Sequence, residues 1–169
     1  MATDVQALRA GEIMTKALVC ATPHQSLADV ETLLIEHRVS GVPVVDRGRL
    51  VGILSRSDIV RVQVLMNSLD GQVTDQISGG DQADGFQHDP RAEFQGFRQM
   101  LTKLTVKDAM HDQVVTCEPE SLVNEVAEAM VRQHIHRVIV VEQDRPVGII
   151  SSLDLVKLVA GPDSVWTRK

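Results

Sequence analysis

The chain has 169 residues, 43% of them hydrophobic and 24% charged, with a formal net charge of −6, ordinary values for a globular protein that fills a core. That acidic balance argues against a surface of clustered Lys and Arg built to grip nucleic acid or anionic lipid, and it leaves room for one local basic pocket. No apolar run approaches the ~20 residues that span a bilayer, and Met1 to Glu12 is charged where a signal peptide is apolar. A cytoplasmic location is expected, with neither a membrane nor a nucleic acid as partner. Cys20 and Cys117 make no disulfide framework and no zinc quartet, and are expected to be reduced and partly buried.

A tandem repeat organises the chain. Gly52-Ile53-Leu54-Ser55-Arg56-Ser57-Asp58 returns as Gly148-Ile149-Ile150-Ser151-Ser152-Leu153-Asp154, an offset of 96 residues. The same offset, without gaps, pairs Met14 with Met110, Pro23 with Pro119, Val44 with Val140 and Val60 with Val156.

In chain order, Leu18–Ala21 reads as a short strand ended by Thr22-Pro23. Ser26-x-x-Asp29 has capping-box spacing, and Leu27, Val30, Leu33 and Leu34 mark the apolar face of a helix. Val42–Val45 and Leu50–Leu54, split by Asp46-Arg47-Gly48, read as a hairpin, and a second helix follows from about Asp58 to Leu65. The second copy repeats the order with Val114–Cys117, Leu122–Gln133, Val138–Val141, Val147–Ile150 and Asp154–Val159. The expected unit is β-α-β-β-α, and at about fifty residues it is too small to cover both faces of its own sheet. Two copies packed through their sheets, with pseudo-two-fold symmetry, give an α/β fold: repeat 1 over 11–66, an insert over 67–104 and repeat 2 over 105–161.

The insert changes character. Asp70–Asp89 is rich in Gly, Gln and Asp and reads as a flexible loop. Pro90, then Phe94, Phe97, Met100, Leu101 and Leu104 at three- and four-residue steps, read as an amphipathic helix that serves either the core or a protein partner.

Ser55-x-x-Asp58 and Ser151-x-x-Asp154 are each a capping box. Each also follows an aliphatic strand and a Gly, at a helix start whose amides suit an anion, with an Asp able to accept from ribose hydroxyls. No Gly-x-Ser-x-Gly elbow, HExxH or Walker loop is present, so neither a catalytic residue nor a catalytic cofactor is expected. His134-x-His136 lacks a third ligand nearby for a metal.

The duplicated Val-Pro-Val-Val-Asp and Leu-Val-Gly-Ile-Leu-Ser segments with their closing Asp resemble a tandem pair of CBS (cystathionine β-synthase) domains, a Bateman module. The resemblance covers roughly 11–66 and 105–161. It implies a regulatory fold that takes an adenosyl ligand, AMP, ADP or ATP, with S-adenosylmethionine as the alternative. It assigns ribose and phosphate contacts to Ser55, Asp58, Ser151 and Asp154, and an adenine seat to Val39, Ser40, Gly41, Val42 and Pro43. Ile135-His136-Arg137, leading into Val138, matches a segment that reaches phosphate in adenylate-sensing kinase subunits. Lys16 and Arg56 are further phosphate or adenine-edge candidates. Ile135-His136-Arg137 stands where the first copy has Val39-Ser40-Gly41, so the copies are unequal. The resemblance implies that Val39-Ser40-Gly41 seats the adenine facing Ser151 and Asp154, with His136 and Arg137 on the phosphate side, and the cleft containing Asp154 is expected to bind more tightly. The expectation is a stand-alone sensor without catalysis, a homodimer of modules acting on an unidentified protein target. The rival is a ligand-free scaffold that uses the insert helix.

Overall fold

The computed structural model describes residues 7–65 and 90–160, apart from the side chains of 90–94. The loop expected over Asp70–Asp89 lies outside the described residues. In chain order the elements are α1 (Ala10–Ile13), α2 (Leu27–Glu36), β1 (Gly41–Asp46), β2 (Arg49–Ser55), α3 (residues 56–65) and α4 (Pro90–Lys103). A 3-10 turn (Val106–Asp108) follows, then β3 (Thr116–Cys117), α5 (Val123–Arg132), β4 (Arg137–Glu142), β5 (Arg145–Ser151) and α6 (Ser152–Ala160). Strands β1 and β2 form a two-stranded sheet, and β3-β4-β5 a three-stranded one with β3 parallel to β4 and β4 antiparallel to β5.

Local chemistry sets the boundaries. Ser26 caps α2, its hydroxyl accepting from the Asp29 amide at 3.1 Å. Its counterpart in repeat 2 is Leu122, which has no side-chain acceptor, and there the Glu125 carboxylate reaches back to the Leu122 amide at 3.2 Å. Both hairpins turn through two left-handed residues, Arg47 (φ 49°) with Gly48 (φ 82°), and Gln143 (φ 51°) with Asp144 (φ 63°). That is the twist a two-residue hairpin needs.

The strand expected over Leu18–Ala21 does not form; only Ala21 bridges Val44. Its counterpart, expected over Val114–Cys117, shortens to Thr116–Cys117. Pro43 explains the difference between the copies. In repeat 2 the Ile139 amide donates to the Val115 carbonyl at 3.3 Å, whereas the equivalent Pro43 has no amide hydrogen to give.

The chain divides into two compact units, and neither is a repeat. One comprises the described residues through Cys20, Val45–Gly52 and those from Asp112 onward; the other comprises Ala21–Val44 and the described part of Ile53–His111. Each unit takes the leader segment that precedes the other repeat. In the first, Arg9 bridges Leu122 and Thr15 bridges Ile149; in the second, Thr105 bridges Ser26 and His111 bridges Ile53. The two sets of bridges differ by the same offset of 96 residues.

Each unit has its own buried residues. Ala10, Val126, Met130, Val138, Val140 and Ile150 cluster in the first. In the second, Leu27, Val30, Leu34, Val42, Leu54, Leu101 and Val106 are buried. Helix α4 packs along α2 and contributes Leu101, with Phe97 and Met100 half-buried. Leu101, with Phe97 and Met100 beside it, therefore serves the core.

Candidate functional site

Each unit carries one copy of the serine–aspartate motif where a strand gives way to a helix. In the first unit, the Ser151 amide and hydroxyl both donate to Asp154 Oδ2, at 2.9 and 2.6 Å. The Asp154 amide donates back to Ser151 Oγ at 3.3 Å, completing a reciprocal cap on α6. Lys157, one turn further, donates to Asp154 Oδ1 at 2.9 Å. Burial raises the Asp154 pKa, but the bonds from Ser151 and Lys157 outweigh it and hold the carboxyl below its ordinary value.

The sheet register brings a cation to this motif. Arg137 on β4 is the direct antiparallel partner of Ser151 on β5, and directly opposed residues project from the same face. The Ser152 amide donates to the His136 carbonyl at 3.0 Å, which fastens the Ile135–Val138 segment to the start of α6. His134 immediately before it is left-handed, φ 53°; this is the reversal that ends α5 and aims the chain into β4. Arg137 is half-buried, and that burial lowers its pKa without discharging it at neutral pH. His136 and Lys16, in the same unit, are exposed.

The second unit repeats the frame with different contents. The Ser55 amide and hydroxyl donate to Asp58 Oδ2 at 2.8 and 2.6 Å. The Arg56 amide donates to the Ser40 carbonyl at 3.1 Å, so the Val39–Pro43 segment abuts the motif as its counterpart does. Gly41, Val42 and Pro43 are buried. Gly41 stands where the other unit has Arg137. The Arg56 guanidinium donates to the Leu34 carbonyl at 3.0 Å, in the last turn of α2.

Sequence reasoning passed over His111. Its Nε2 lies 2.9 Å from Asp58 Oδ1, and Arg61 Nη1 lies 3.4 Å from the same oxygen. The signal was present: His111 stands 96 residues after Thr15, so the copies differ there in a group able to reach a carboxylate. Among the described residues, no His, Cys, Asp and Glu group is arranged to hold a metal ion, and no helix is long and apolar enough to cross a membrane.

The paired motifs have a match among known proteins. The family model described as the CBS domain matches residues 10–65 and again residues 106–161. The chain belongs to the CBS domain family. This CBS-domain protein is 30% identical over 148 residues to the uncharacterized protein MJ1426 of Methanocaldococcus jannaschii, covering 86% of this chain and 88% of that one. Its fold is similar to that of the CBS domain of a CBS-domain-containing membrane protein from Sphaerobacter thermophilus, with a TM-score of 0.70 and 30% identity over 93% of this chain and 91% of that one. It is also similar to the CBS domain pair of protein MJ0100, solved in complex with 5′-methylthioadenosine and S-adenosyl-L-methionine. There the TM-score is 0.63 and the identity 25%, over 90% of this chain and 99% of that one. The α/β fold of a CBS pair is the fold of this chain.

Proposed function

We propose that this protein is a regulatory sensor of adenosyl ligands, with an adenine nucleotide (AMP, ADP or ATP) as the preferred class and no catalysis of its own. The observation that carries the reading is the register pair Arg137–Ser151 beside the Asp154 carboxylate. A carboxylate that accepts from ribose hydroxyls and a guanidinium that grips phosphate are the two groups a nucleotide's sugar and phosphate require. The MJ0100 complex supports the adenosyl part of the reading. The cation at 137 favours a phosphate over the sulfonium of S-adenosylmethionine, which carries positive charge where Arg137 would repel it.

The proposed contacts are Ser151 and Asp154 with Ile135, His136, Arg137 and Val138 in one unit. In the other they are Ser55 and Asp58 with Val39, Ser40, Gly41, Val42 and Pro43. Lys16 and Arg56 are further phosphate or adenine-edge candidates. The ligand acts by favouring one arrangement of the protein over another, and the regulated protein is a partner outside this chain. The protein acts inside the cell as a homodimer.

Thermal shift and calorimetry with AMP, ADP, ATP, S-adenosylmethionine and GTP test this, because selective binding raises the melting temperature by mass action. Stabilisation by adenine nucleotides well above that by GTP is the expected result. Silence with every adenosyl compound at millimolar concentration would overturn the reading and leave the scaffold.

A further inference from the structure

Asp58 is the one buried charged residue among the described residues, with its side chain 4% exposed. A buried carboxylate has to be paired, and both oxygens of this one are. Two oxygens offer about four acceptor positions. Ser55 fills two at Oδ2 through its amide and hydroxyl; at Oδ1 His111 Nε2 lies at 2.9 Å and Arg61 Nη1 forms an ion pair at 3.4 Å. His111 Nε2 also lies 3.0 Å from Arg61 Nη1. In the tautomer that carries its hydrogen on Nε2 the ring donates to the carboxylate, which only accepts, and Arg61 then meets Asp58 as an ion pair. The imidazole is itself 51% exposed, so it caps the carboxylate from the side of the solvent.

The other copy lacks this cap. Asp154 is 18% exposed, and Lys157 is the one donor to its Oδ1 among the described residues. Lys157 corresponds to Arg61, and Thr15 corresponds to His111. The backbone at those two positions is the same: Thr15 exchanges hydrogen bonds with Ile149 at 2.9 and 3.1 Å, and His111 with Ile53 at 3.0 and 2.9 Å. The copies therefore differ in the side chain placed over the carboxylate, not in the frame that places it.

We infer that His111 is an internal competitor that closes the Asp58 copy, so that a nucleotide's ribose engages Asp154 alone and the duplicated module works with one site. The inference rests on the proposed ribose role of the two aspartates, and it assigns a residue that decides which copy is used. A ribose hydroxyl reaching Asp58 has to displace a charge-assisted bond from the ring, which weakens that copy about ten- to a hundred-fold.

The test is calorimetric titration of AMP and ATP into the full chain and into His111→Thr, which installs the residue the first leader already carries on the same backbone frame. His111→Ala serves as the second variant, and melting temperatures without ligand check that both fold. One equivalent bound by the unaltered protein and a second gained by His111→Thr is the expected result. With Asp154→Ala as background, His111→Thr is expected to tighten the remaining binding about ten- to a hundred-fold. One equivalent bound alike by the unaltered protein and both folded variants would overturn the role of His111 and leave the ribose assignment standing. Two equivalents of similar affinity in the unaltered protein would also overturn it. No binding by any variant would overturn both the inference and the reading beneath it.

Discussion

Replacing Asp154 by Ala removes an acceptor that the cap on α6 uses through Oδ2 and that the proposed ligand shares through Oδ1. Losing a hydrogen bond to a charged group costs about 1.5–3 kcal/mol, so AMP or ATP affinity is expected to fall about ten- to a hundred-fold by calorimetry. Asp58→Ala is expected to leave that step nearly unchanged, because His111 and Arg61 already hold its carboxylate. A second consequence concerns acid. The folded Asp154 carboxyl lies below its ordinary value, so its contribution to stability is present above the unfolded value of about 4 and is lost as pH falls through the folded one. Urea unfolding between about pH 5 and pH 2 should therefore show a shallower loss of stability in Asp154→Asn than in the unaltered protein. An unchanged slope would count against the cap as the cause. The motif residues were legible in the sequence because serine, aspartate and their spacing carry the capping chemistry directly. His111 was not. Its role depends on a leader segment meeting the other repeat, and one residue's identity says nothing of that until the backbone bridge to Ile53 is known.

Secondary elements followed their periodicity wherever local chemistry was enough to build them. Helix α2, with its Ser26 cap and apolar spacing, runs Leu27–Glu36, and both hairpins form where β-branched runs flank a turn. The short first strands were the exception. A two- to four-residue parallel strand lives on partner amides, and Pro43 withdraws one that Ile139 supplies. Tight packing of the leader on the sheet makes a further demand at Gly148. A Cβ there would sit 2.7 Å from Met14 Cγ and 2.9 Å from Met14 Cβ, and Met14 directly follows α1, whose Ala10 is fully buried. Because the near atoms include Cβ, a rotamer change at the far end of Met14 does not relieve the clash. Gly148→Ala is expected to destabilise the protein by about 1–3 kcal/mol in denaturant unfolding. A neutral result would mean that the leader is displaced at little cost and is not part of this core. Pairing it with Met14→Ala should recover part of the loss, since the two changes share one contact.

Over the whole molecule, two features of the surface and the chain path lead to separate expectations. Val60, Val64 and Leu65 on α3 are 55–59% exposed, and Leu153, Val156 and Val159 on α6 are 58–85% exposed. Aliphatic stripes on helices of both units fit the proposed homodimer better than a free monomer. Light scattering should return twice the chain mass of 18.6 kDa, and Val156→Glu should shift the protein toward the monomer with its melting temperature little changed at high concentration. A monomeric unaltered protein would remove the dimer from the proposed function. The chain path makes the stronger claim. Each unit draws on both halves of the sequence: the first needs residues before Cys20 as well as those after Asp112, and the second needs Leu101, Val106 and His111 as well as α2. The repeat pattern gave no warning of this exchange, because an offset in sequence does not say which leader packs on which sheet. Division of the chain after Gly80 therefore separates neither unit from the other and breaks both. Halves expressed together are expected to copurify in equal amounts and to melt in one cooperative transition. Either half alone leaves a core without its leader, Ala10 in one case and Val106 in the other, both 0% exposed in the intact chain, and should show exposed apolar surface and no cooperative melt. If each half folds alone and the two do not associate, the leaders are dispensable and the repeats are independent domains after all.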